Sequence, residues 1–208
     1  MILASNTLER TSDEYFSGIT DFQKKPKEKT LQGHKIYHLV DYYSHGSTPN
    51  SAFVALANKH IKNMKGEQSR CFAVEFFRKM FLQLDLGGWS WTFVPSSDPR
   101  KTDTGTRAIA TKLNDSLGDW HVRAIERKKK IITSTRNSAG FTSEKLNPTI
   151  AQHKETLRLT GLNKNGRRKI VLIDDVVTSG SSIIACKQFL LENEAKDVMM
   201  IGLGYTLR

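Results

Sequence analysis

Two adjacent carboxylates, Asp174 and Asp175, end an aliphatic run in the sequence KIVLIDDVVTSGSS, which spans Lys169–Ser182. An apolar run followed by acids and then by small hydroxyl residues predicts a buried strand, a loop and a helix start. In a parallel α/β sheet, ligands bind beyond the carboxyl ends of the strands. We therefore expect a ligand site here. The two acids could accept hydrogen bonds from vicinal hydroxyls, or hold a divalent cation through oxygen or water.

The loop after the acids has the composition of an anion site. Glycine permits a backbone shape that brings amides close to an anion, and a helix start adds unpaired N–H groups and the positive end of the helix dipole. The residues that we expect to bind are Val177, Thr178, Ser179, Gly180, Ser181 and Ser182. Together, acids and loop predict a sugar phosphate site, with the acids on the ribose diol and the loop on the 5′-phosphate.

A simpler interpretation needs no ligand. Ser181 or Ser182 would merely cap the helix, and the aspartates would merely end the strand. An ordinary cap requires one residue of this kind rather than a run of them, which favours the phosphate site. A Walker-type loop is excluded, because Gly-Lys-Ser/Thr does not occur at the required spacing.

The stretch VLIDDVVTSGSS closely resembles the 5-phosphoribosyl-1-pyrophosphate motif of type I phosphoribosyltransferases, which lies between a strand and a helix. The resemblance implies that Asp174 and Asp175 contact the ribose hydroxyls as catalytic-site residues, and that Val177–Ser182 wraps the 5′-phosphate. It implies Mg²⁺ as cofactor, held by the two acids or through water, which helps to bind pyrophosphate. The implied activity is that of a glycosyltransferase that moves a phosphoribosyl group to a nitrogenous acceptor. Analogy with the family also favours a homodimer.

Beyond the motif, the chain is most similar to the ComF-type phosphoribosyltransferases linked to DNA uptake. Two segments carry the similarity, FVPSSDPRKTDTGTRAIATKL and AQHKETLRLTGLNKNG. The first would supply the loop that faces pyrophosphate, where short side chains expose amides and cations neutralise charge. Its candidate residues are Ser96, Ser97, Arg100 and Lys101, although the two cations could equally be solvated. The Arg-Gly-Phe-Asn step of that family is replaced here by Thr104–Arg107, and its cysteine-rich zinc module has no counterpart.

Type I enzymes also close a mobile loop that excludes water from the reacting centre. Residues 134–160 could supply this loop. Arg136 and Lys145 are candidates to meet the pyrophosphate, and the alternative is that both are ordinary surface cations. The sequence identifies no residue as a general base. Positioning and charge stabilisation supply much of the catalysis in this family, so the lack of a base does not argue against activity.

The chain is strongly basic, with a net charge of +11 over 208 residues. Charge alone does not separate nucleic acid from a phosphorylated small molecule as the partner. Trp120 and the nearby Lys128, Lys129 and Lys130 are the best candidates for a DNA or RNA contact, because aromatic rings stack on bases and lysines follow phosphates. A solvated basic face is the alternative. A second hypothesis is therefore a non-classical module that keeps the pocket but acts in a nucleic-acid assembly, in DNA uptake, regulation or anti-phage defence.

Alternating strand and helix patterns predict an α/β fold, with a mainly parallel sheet flanked by helices. The family fold would add an N-terminal elaboration or hood. We expect a polar arm over residues 1–34 and a phosphoribosyltransferase-like α/β domain over 35–208. Strands are predicted over 35–43, up to Val94, over 127–135, 169–173 and 198–203. Helices are predicted over 53–61, 68–84, around Ile109–Leu117, around Ile150–Leu159 and over 182–193.

Several apolar residues are assigned to the core. Trp89, Trp91 and Phe93 alternate along one strand and share a face, which could stack a base but is more typical of the core. Cys71 and Cys186 lie in apolar helical segments and are expected to be buried. The chain has no apolar run long enough to cross a bilayer and its first residues do not resemble a signal peptide, so we expect a cytoplasmic protein with no membrane partner.

Overall fold

The computed structural model describes residues 26–43, 49, 51–64, 66–84, 86–117, 124–131, 148–160 and 169–207. The strands are β1 (Lys27–Leu31), β2 (His34–Tyr42), β3 (Trp89–Phe93), β4 (Ile125–Arg127), β5 (Leu157–Leu159), β6 (Lys169–Val177) and β7 (Asp197–Thr206). The helices are α1 (Ala52–Asn63), α2 (Glu67–Leu82), α3 (Gly105–Leu117), α4 (Ile150–Glu155) and α5 (Ser181–Glu192).

A five-stranded sheet with the order β1-β2-β7-β6-β3 forms the centre of the molecule. The pairs β2–β7, β7–β6 and β6–β3 are parallel, and β1 runs antiparallel to β2 at one edge. Parallel neighbours need connections long enough to hold a helix, and the chain alternates strands and helices accordingly. The predicted α/β class with a mostly parallel sheet is therefore confirmed. Strands β4 and β5 form a separate antiparallel pair.

Strand β6 lies in the middle of the core and is covered on both faces. Val171 and Ile173 join the apolar cluster formed with α1, α2 and α3. Ile170 and Leu172 join the cluster on the other face, formed with α5. Because successive side chains of a strand point to opposite faces, a strand buried on both sides has a continuous apolar run. Burial on both faces of the sheet therefore explains the aliphatic run that precedes the two aspartates.

The predicted apolar face of the second helix is confirmed. Val74, Phe77 and Phe81 of α2 are buried, and Leu84 just beyond the helix packs against the same cluster. Cys186 is also buried as expected, but the prediction for the other cysteine is wrong. Cys71 is exposed on α2, because its position falls outside the stripe that faces the sheet.

The aromatic residues of β3 belong to the core rather than to a base-stacking surface. Trp91 and Phe93 are buried, and Trp89 is partly buried against the same cluster. The Trp91 ring packs edge-on against Phe81, with 5.1 Å between the ring centroids. Asn114 of α3 bonds both the N–H and the carbonyl of Trp91, at 2.8 Å each, and so ties this strand to its helix.

The N-terminal boundary differs from the prediction of a polar arm through residue 34. Lys27–Leu31 forms an edge strand, joined to β2 by a turn in which Gln32 and Gly33 both have positive φ, 50° and 76°. Lys27 pairs with Asp41 of β2. Charged side chains protect an exposed sheet edge from pairing with other chains, and the same charges look like a solvated arm in the sequence. Residues 1–25 of the predicted arm lie outside the described residues.

Two predictions before β6 are corrected in part. The strand expected over 127–135 is instead β4, which ends at Arg127, and the exposed residues 128–130 continue without strand structure. The helix expected around Ile150–Leu159 ends at Glu155 and is followed directly by β5. Residues 132–147, which include Arg136, Lys145 and most of the predicted mobile loop, lie outside the described residues.

The described helices are short. The longest of them, α2, has 16 residues. None of the helices in the described part of the chain combines the length and the apolar character needed to cross a membrane. The cytoplasmic location stays a prediction.

A buried histidine makes the core sensitive to acid. His60 of α1 is 4% exposed, and its ring stacks on Phe76 with 4.4 Å between the centroids. Burial lowers the pKa of His60 to about 4, with a smaller contribution from nearby Lys59. The folded protein therefore keeps this ring neutral under conditions in which an unfolded chain is protonated.

Acidification should reduce the free energy of unfolding through His60. Its folded pKa is below the ordinary value of 6.5, so the unfolded chain binds more protons between these two values and stability is lost as the pH falls through that window. A pKa shift of this size corresponds to a loss of about 2 kcal/mol in the free energy of unfolding between pH 7 and pH 5. In His60→Gln, urea denaturation at both pH values should show a smaller difference than in the wild type. Equal differences in the two proteins would contradict this assignment.

Candidate functional site

A cleft of about 860 Å³ opens at the carboxyl ends of β3 and β6. Its size is within the usual range for small-molecule sites. Each residue that the sequence assigned to the phosphoribosyl pyrophosphate site lines this cleft: Ser96, Ser97, Arg100, Lys101, Asp174, Asp175, Val177, Thr178, Ser179, Gly180, Ser181 and Ser182. The structure brings these residues together, and their binding of a ligand stays a prediction.

Parallel pairing explains why two remote segments meet in the cleft. Phe93 of β3 lies opposite Ile173 of β6, and the Val94 N–H donates to the Ile173 carbonyl at 2.8 Å. Both strands therefore end at the same edge of the sheet. The loop after β3 and the aspartates of β6 leave from neighbouring positions.

The two aspartates use only part of their hydrogen-bonding capacity. Asp174 Oδ1 accepts from the Asp175 N–H at 3.0 Å, and Asp175 Oδ1 accepts from the Val176 N–H at 2.7 Å. Both residues are half-buried in the cleft. These hydrogen bonds leave acceptor capacity on both carboxylates for ribose hydroxyls or for a cation.

The electrostatic environment of Asp174 disfavours a bare negative charge. Burial and the neighbouring Asp175 carboxylate raise the pKa of Asp174 well above its ordinary range, while the Arg127 guanidinium acts in the opposite direction. A positive ligand or a divalent cation would relieve this repulsion. Two carboxylates completed by water and substrate oxygens are a typical environment for Mg²⁺, so these residues fit the expected cofactor.

Residues 177–182, the candidate phosphate loop, lead into helix α5, which starts without a side-chain cap. The N-cap residue is Gly180, with φ of 77°, and it has no side chain that could accept from the first turn. The capping interpretation of Ser181 and Ser182 is therefore wrong, since both lie inside the helix. No acidic residue lies in the first turn of α5. The N–H groups and the dipole at this end are suited to an anion.

The loop after β3 is organised by Asp98. Its carboxylate accepts from the Arg100 side chain at two atoms, Nε at 3.0 Å and Nη2 at 2.7 Å, and from the Arg100 N–H at 3.0 Å. These contacts hold the pKa of Asp98 well below its usual range. Ser96 Oγ accepts from the Asp98 N–H at 3.3 Å, and Lys101 is exposed. Arg100 is thus ion-paired rather than simply solvated, although its side chain remains 81% exposed.

Two buried residues of the cleft, Arg127 and His153, were not found from the sequence. Arg127 Nη2 donates to Ser182 Oγ and to His153 Nδ1, at 3.1 Å each. Burial, with the nearby Arg127 charge, lowers the pKa of His153 to about 4. Arg127 stands in the run RAIERKKK, which suggests a solvated surface. The alternation of side chains along a strand could have revealed that Arg127 is buried, because Arg127 lies on the same face of β4 as the buried Ile125.

The β1–β2 hairpin also reaches the phosphate loop, which the sequence did not predict. Gln32 Nε2 donates to the Ser179 carbonyl at 3.3 Å and lies 3.5 Å from Ser181 Oγ. The turn of this hairpin thus contacts the candidate phosphate site.

The predicted nucleic-acid residues are described only in part. Trp120 lies outside the described residues. Lys128, Lys129 and Lys130 are exposed. The residue that follows them, Ile131, donates its N–H to the Ser97 carbonyl at 3.0 Å, which places the lysines next to the rim of the cleft.

Alanine at position 180 should destabilise the protein more than alanine at position 88. Gly180 and Gly88 have φ of 77° and 78°, so both substitutions carry a backbone cost of about 1–2 kcal/mol. A Cβ at 88 meets no atom within 4 Å, whereas a Cβ at 180 lies 3.0 Å from Leu31 Cδ1 and 3.1 Å from Ile36 Cδ1. Urea denaturation should show an additional loss of about 1 kcal/mol for Gly180→Ala. Equal losses would mean that the hairpin does not constrain the loop.

Sequence comparisons identify no relative of this chain. A scan against protein-family models finds no match. No curated protein matches the chain significantly in sequence. The residues that line the cleft, together with the motif resemblance, are therefore the basis for a functional proposal.

Proposed function

We propose that this protein binds 5-phosphoribosyl-1-pyrophosphate, or a related nucleotide, with Mg²⁺ and transfers its phosphoribosyl group to a nitrogenous acceptor. The observation that carries the proposal is the position of the acid pair and the uncapped start of α5 in one cleft, within the span Asp174–Ser182. A phosphorylated pentose needs a diol acceptor and an anion site a few ångströms apart, and a strand followed directly by a helix supplies both.

Each part of the cleft has a role in the proposed complex. Asp174 and Asp175 hold the ribose hydroxyls, and the start of α5 holds the 5′-phosphate. The amides and cations of the loop after β3, which contains Ser96 and Lys101, face the pyrophosphate. Bound Mg²⁺ supplies neutralisation of the pyrophosphate charge, and the two aspartates are the residues that would hold it, directly or through water.

The proposed reaction is a displacement at the anomeric carbon. A nitrogen of the acceptor forms a bond to C1′ while the bond from C1′ to the pyrophosphate oxygen breaks, and pyrophosphate leaves with the electron pair. The proton of the acceptor nitrogen passes to solvent or to the released pyrophosphate. The Asp174 and Asp175 carboxylates would stabilise the positive charge that develops on the sugar, and the cleft would position the two reactants.

The fold supports the proposal at a coarser level. A mostly parallel sheet with helices on its faces is compatible with the type I phosphoribosyltransferase fold, and in that fold the β1–β2 hairpin would belong to the N-terminal elaboration. The assignment to that fold, the ComF-like branch, the homodimer and the cytoplasmic location are parts of the same proposal.

Removal of either acid should weaken the binding of the sugar phosphate. Asp174→Asn and Asp175→Asn should each weaken the affinity for phosphoribosyl pyrophosphate with Mg²⁺ by about 10-fold or more, because each removes a charge-assisted hydrogen-bond acceptor. Isothermal titration calorimetry measures the change. Asp115→Asn on α3 is the matched control, since this exposed carboxylate lies outside the cleft. Undetectable binding in the wild type, or equal affinities in all four proteins, would exclude the proposed ligand.

A second candidate function is a module that acts on nucleic acid. The observation that favours it is the exposed run Lys128–Lys130 beside the cleft rim, joined to Ser97 through the hydrogen bond of Ile131. Lysine side chains in this position could follow the phosphates of a strand whose end or base enters the cleft.

Neutralising this run should reduce the salt dependence of nucleic-acid binding. Substitution of Lys128, Lys129 and Lys130 by Gln should lower the slope of log affinity against log salt concentration by about 2 for a single strand, because fewer counterions are released. Fluorescence anisotropy with labelled single-stranded DNA and RNA measures the slope. Gln at Lys62, Lys112 and Lys196, three exposed lysines outside the cleft, is the control with the same charge change. The same slope in both triple variants would argue against this surface.

A further inference from the structure

Arg127 is a buried cation whose hydrogen bonds go to neutral groups. The residue is 4% exposed and lines the cleft. Its Nη1 donates to Thr156 Oγ1 and to the His153 carbonyl, and its Nη2 donates to His153 Nδ1 and Ser182 Oγ. Among the described residues, no carboxylate bonds to this guanidinium, and its Nε is buried without a partner.

A buried charge of this kind is costly without a counter-ion. Desolvation of a guanidinium is offset only when anionic or well-placed polar groups satisfy it, and an unpartnered buried N–H adds to the cost. Arg127 lines the cleft, and its hydrogen-bonded partners among the described residues, on His153, Thr156 and Ser182, are all neutral groups. The positive charge below the start of α5 therefore points to an anionic ligand in the cleft.

The hydrogen bond to Ser182 determines what this serine can do. Because Arg127 donates to Ser182 Oγ, the hydroxyl proton of Ser182 is directed to a different acceptor. Ser182 lines the cleft in the first turn of α5, beside N–H groups that Gly180 leaves without a side-chain cap. Arg127 thus prepares the serine hydroxyl as a donor and adds its own charge to the end of the helix dipole.

We infer that Arg127 is a positioning residue for a phosphate monoester at the start of α5, which acts by holding Ser182 as a donor to that phosphate. The inference rests on the proposed function and specifies its anion subsite. Arg127 is the last residue of β4, His153 lies in α4 and Thr156 follows that helix directly, so one guanidinium connects two separate segments, β4 and α4, to the phosphate loop.

A double-mutant cycle in the full chain tests this role. Arg127→Met, Ser182→Ala and the double variant are titrated with ribose 5-phosphate, and with ribose as the ligand without phosphate. Each single variant should lose about 10-fold in affinity for ribose 5-phosphate, because a charge-assisted hydrogen bond is lost. The double variant should lose little more than one single variant, because the two residues act as a unit. Losses that multiply to about 100-fold would overturn the inference.

Matched variants separate positioning from simple structural damage. Arg158→Met removes an exposed arginine of β5, the strand that pairs with β4, and should leave the affinity unchanged; Arg158 is paired with Glu126 at 3.0 Å. Arg127→Lys keeps the charge but not the planar fork, so it should restore part of the affinity lost in Arg127→Met. Should Arg127→Met fail to fold, Arg127→Lys with Ser182→Ala completes the same cycle. Wild-type affinity in the Arg127 variant used for the cycle would overturn the inference.

The outcomes also distinguish this inference from the proposed function. Coupled losses for ribose 5-phosphate in a protein that neither binds nor turns over phosphoribosyl pyrophosphate would support the phosphate subsite and contradict the transferase. Wild-type binding of phosphoribosyl pyrophosphate that is unaffected in Arg127→Met would support the transferase pocket and contradict the role of Arg127. A wild type that binds neither ligand would exclude both.

Discussion

The parallel pairing of β3 with β6 is the constraint on which the candidate site depends. Phe93 and Ile173 lie side by side in the sheet, so the two chain segments that follow them emerge at one edge. The interaction that holds this register is burial of both strands, with Trp91, Val171 and Ile173 in one apolar cluster. Burial of such side chains contributes on the order of 2 kcal/mol each. A slip of one residue would turn every side chain of β6 to the opposite face of the sheet and would disrupt both core clusters.

The cleft combines carboxylates and cations, and several of them already form pairs. Arg100 is bound to Asp98, and Arg70 contacts Asp103. These pairs are at the rim and are partly exposed, so an anionic ligand can compete for the cations at small cost. Arg127 differs because it is buried among neutral groups. The cleft thus has Arg–Asp ion pairs at its rim and one buried arginine, Arg127, among neutral groups.

Sequence patterns were most informative where a segment is buried on a regular face. The apolar residues of β6 and α2 have the periods of a buried strand and an amphipathic helix, and both elements occur close to the expected positions. The expected end of β6 at Ile173 is wrong, because the strand continues through both aspartates to Val177. The edge strand β1 was missed because its composition, KEKTL, is that of an exposed charged segment. An edge strand, which has a partner strand on one side, can form without alternating apolar residues. The pairing of β1 depends instead on the turn at Gln32 and Gly33 and on its contacts with β2.

The sequence alone predicted that the residues from Asp174 to Ser182 line one surface, since the acids, the hydroxyls and the helix start are contiguous and need only local geometry to meet. It also determined the α/β class, because alternating strands and helices have few other ways to bury their apolar faces. Only the tertiary structure decided that Arg127 is a buried partner of Ser182 rather than one more surface cation of a basic run. These two residues are 55 positions apart. Whether a charged side chain is exposed or buried depends on which distant segments pack against it, and the local sequence does not identify those segments.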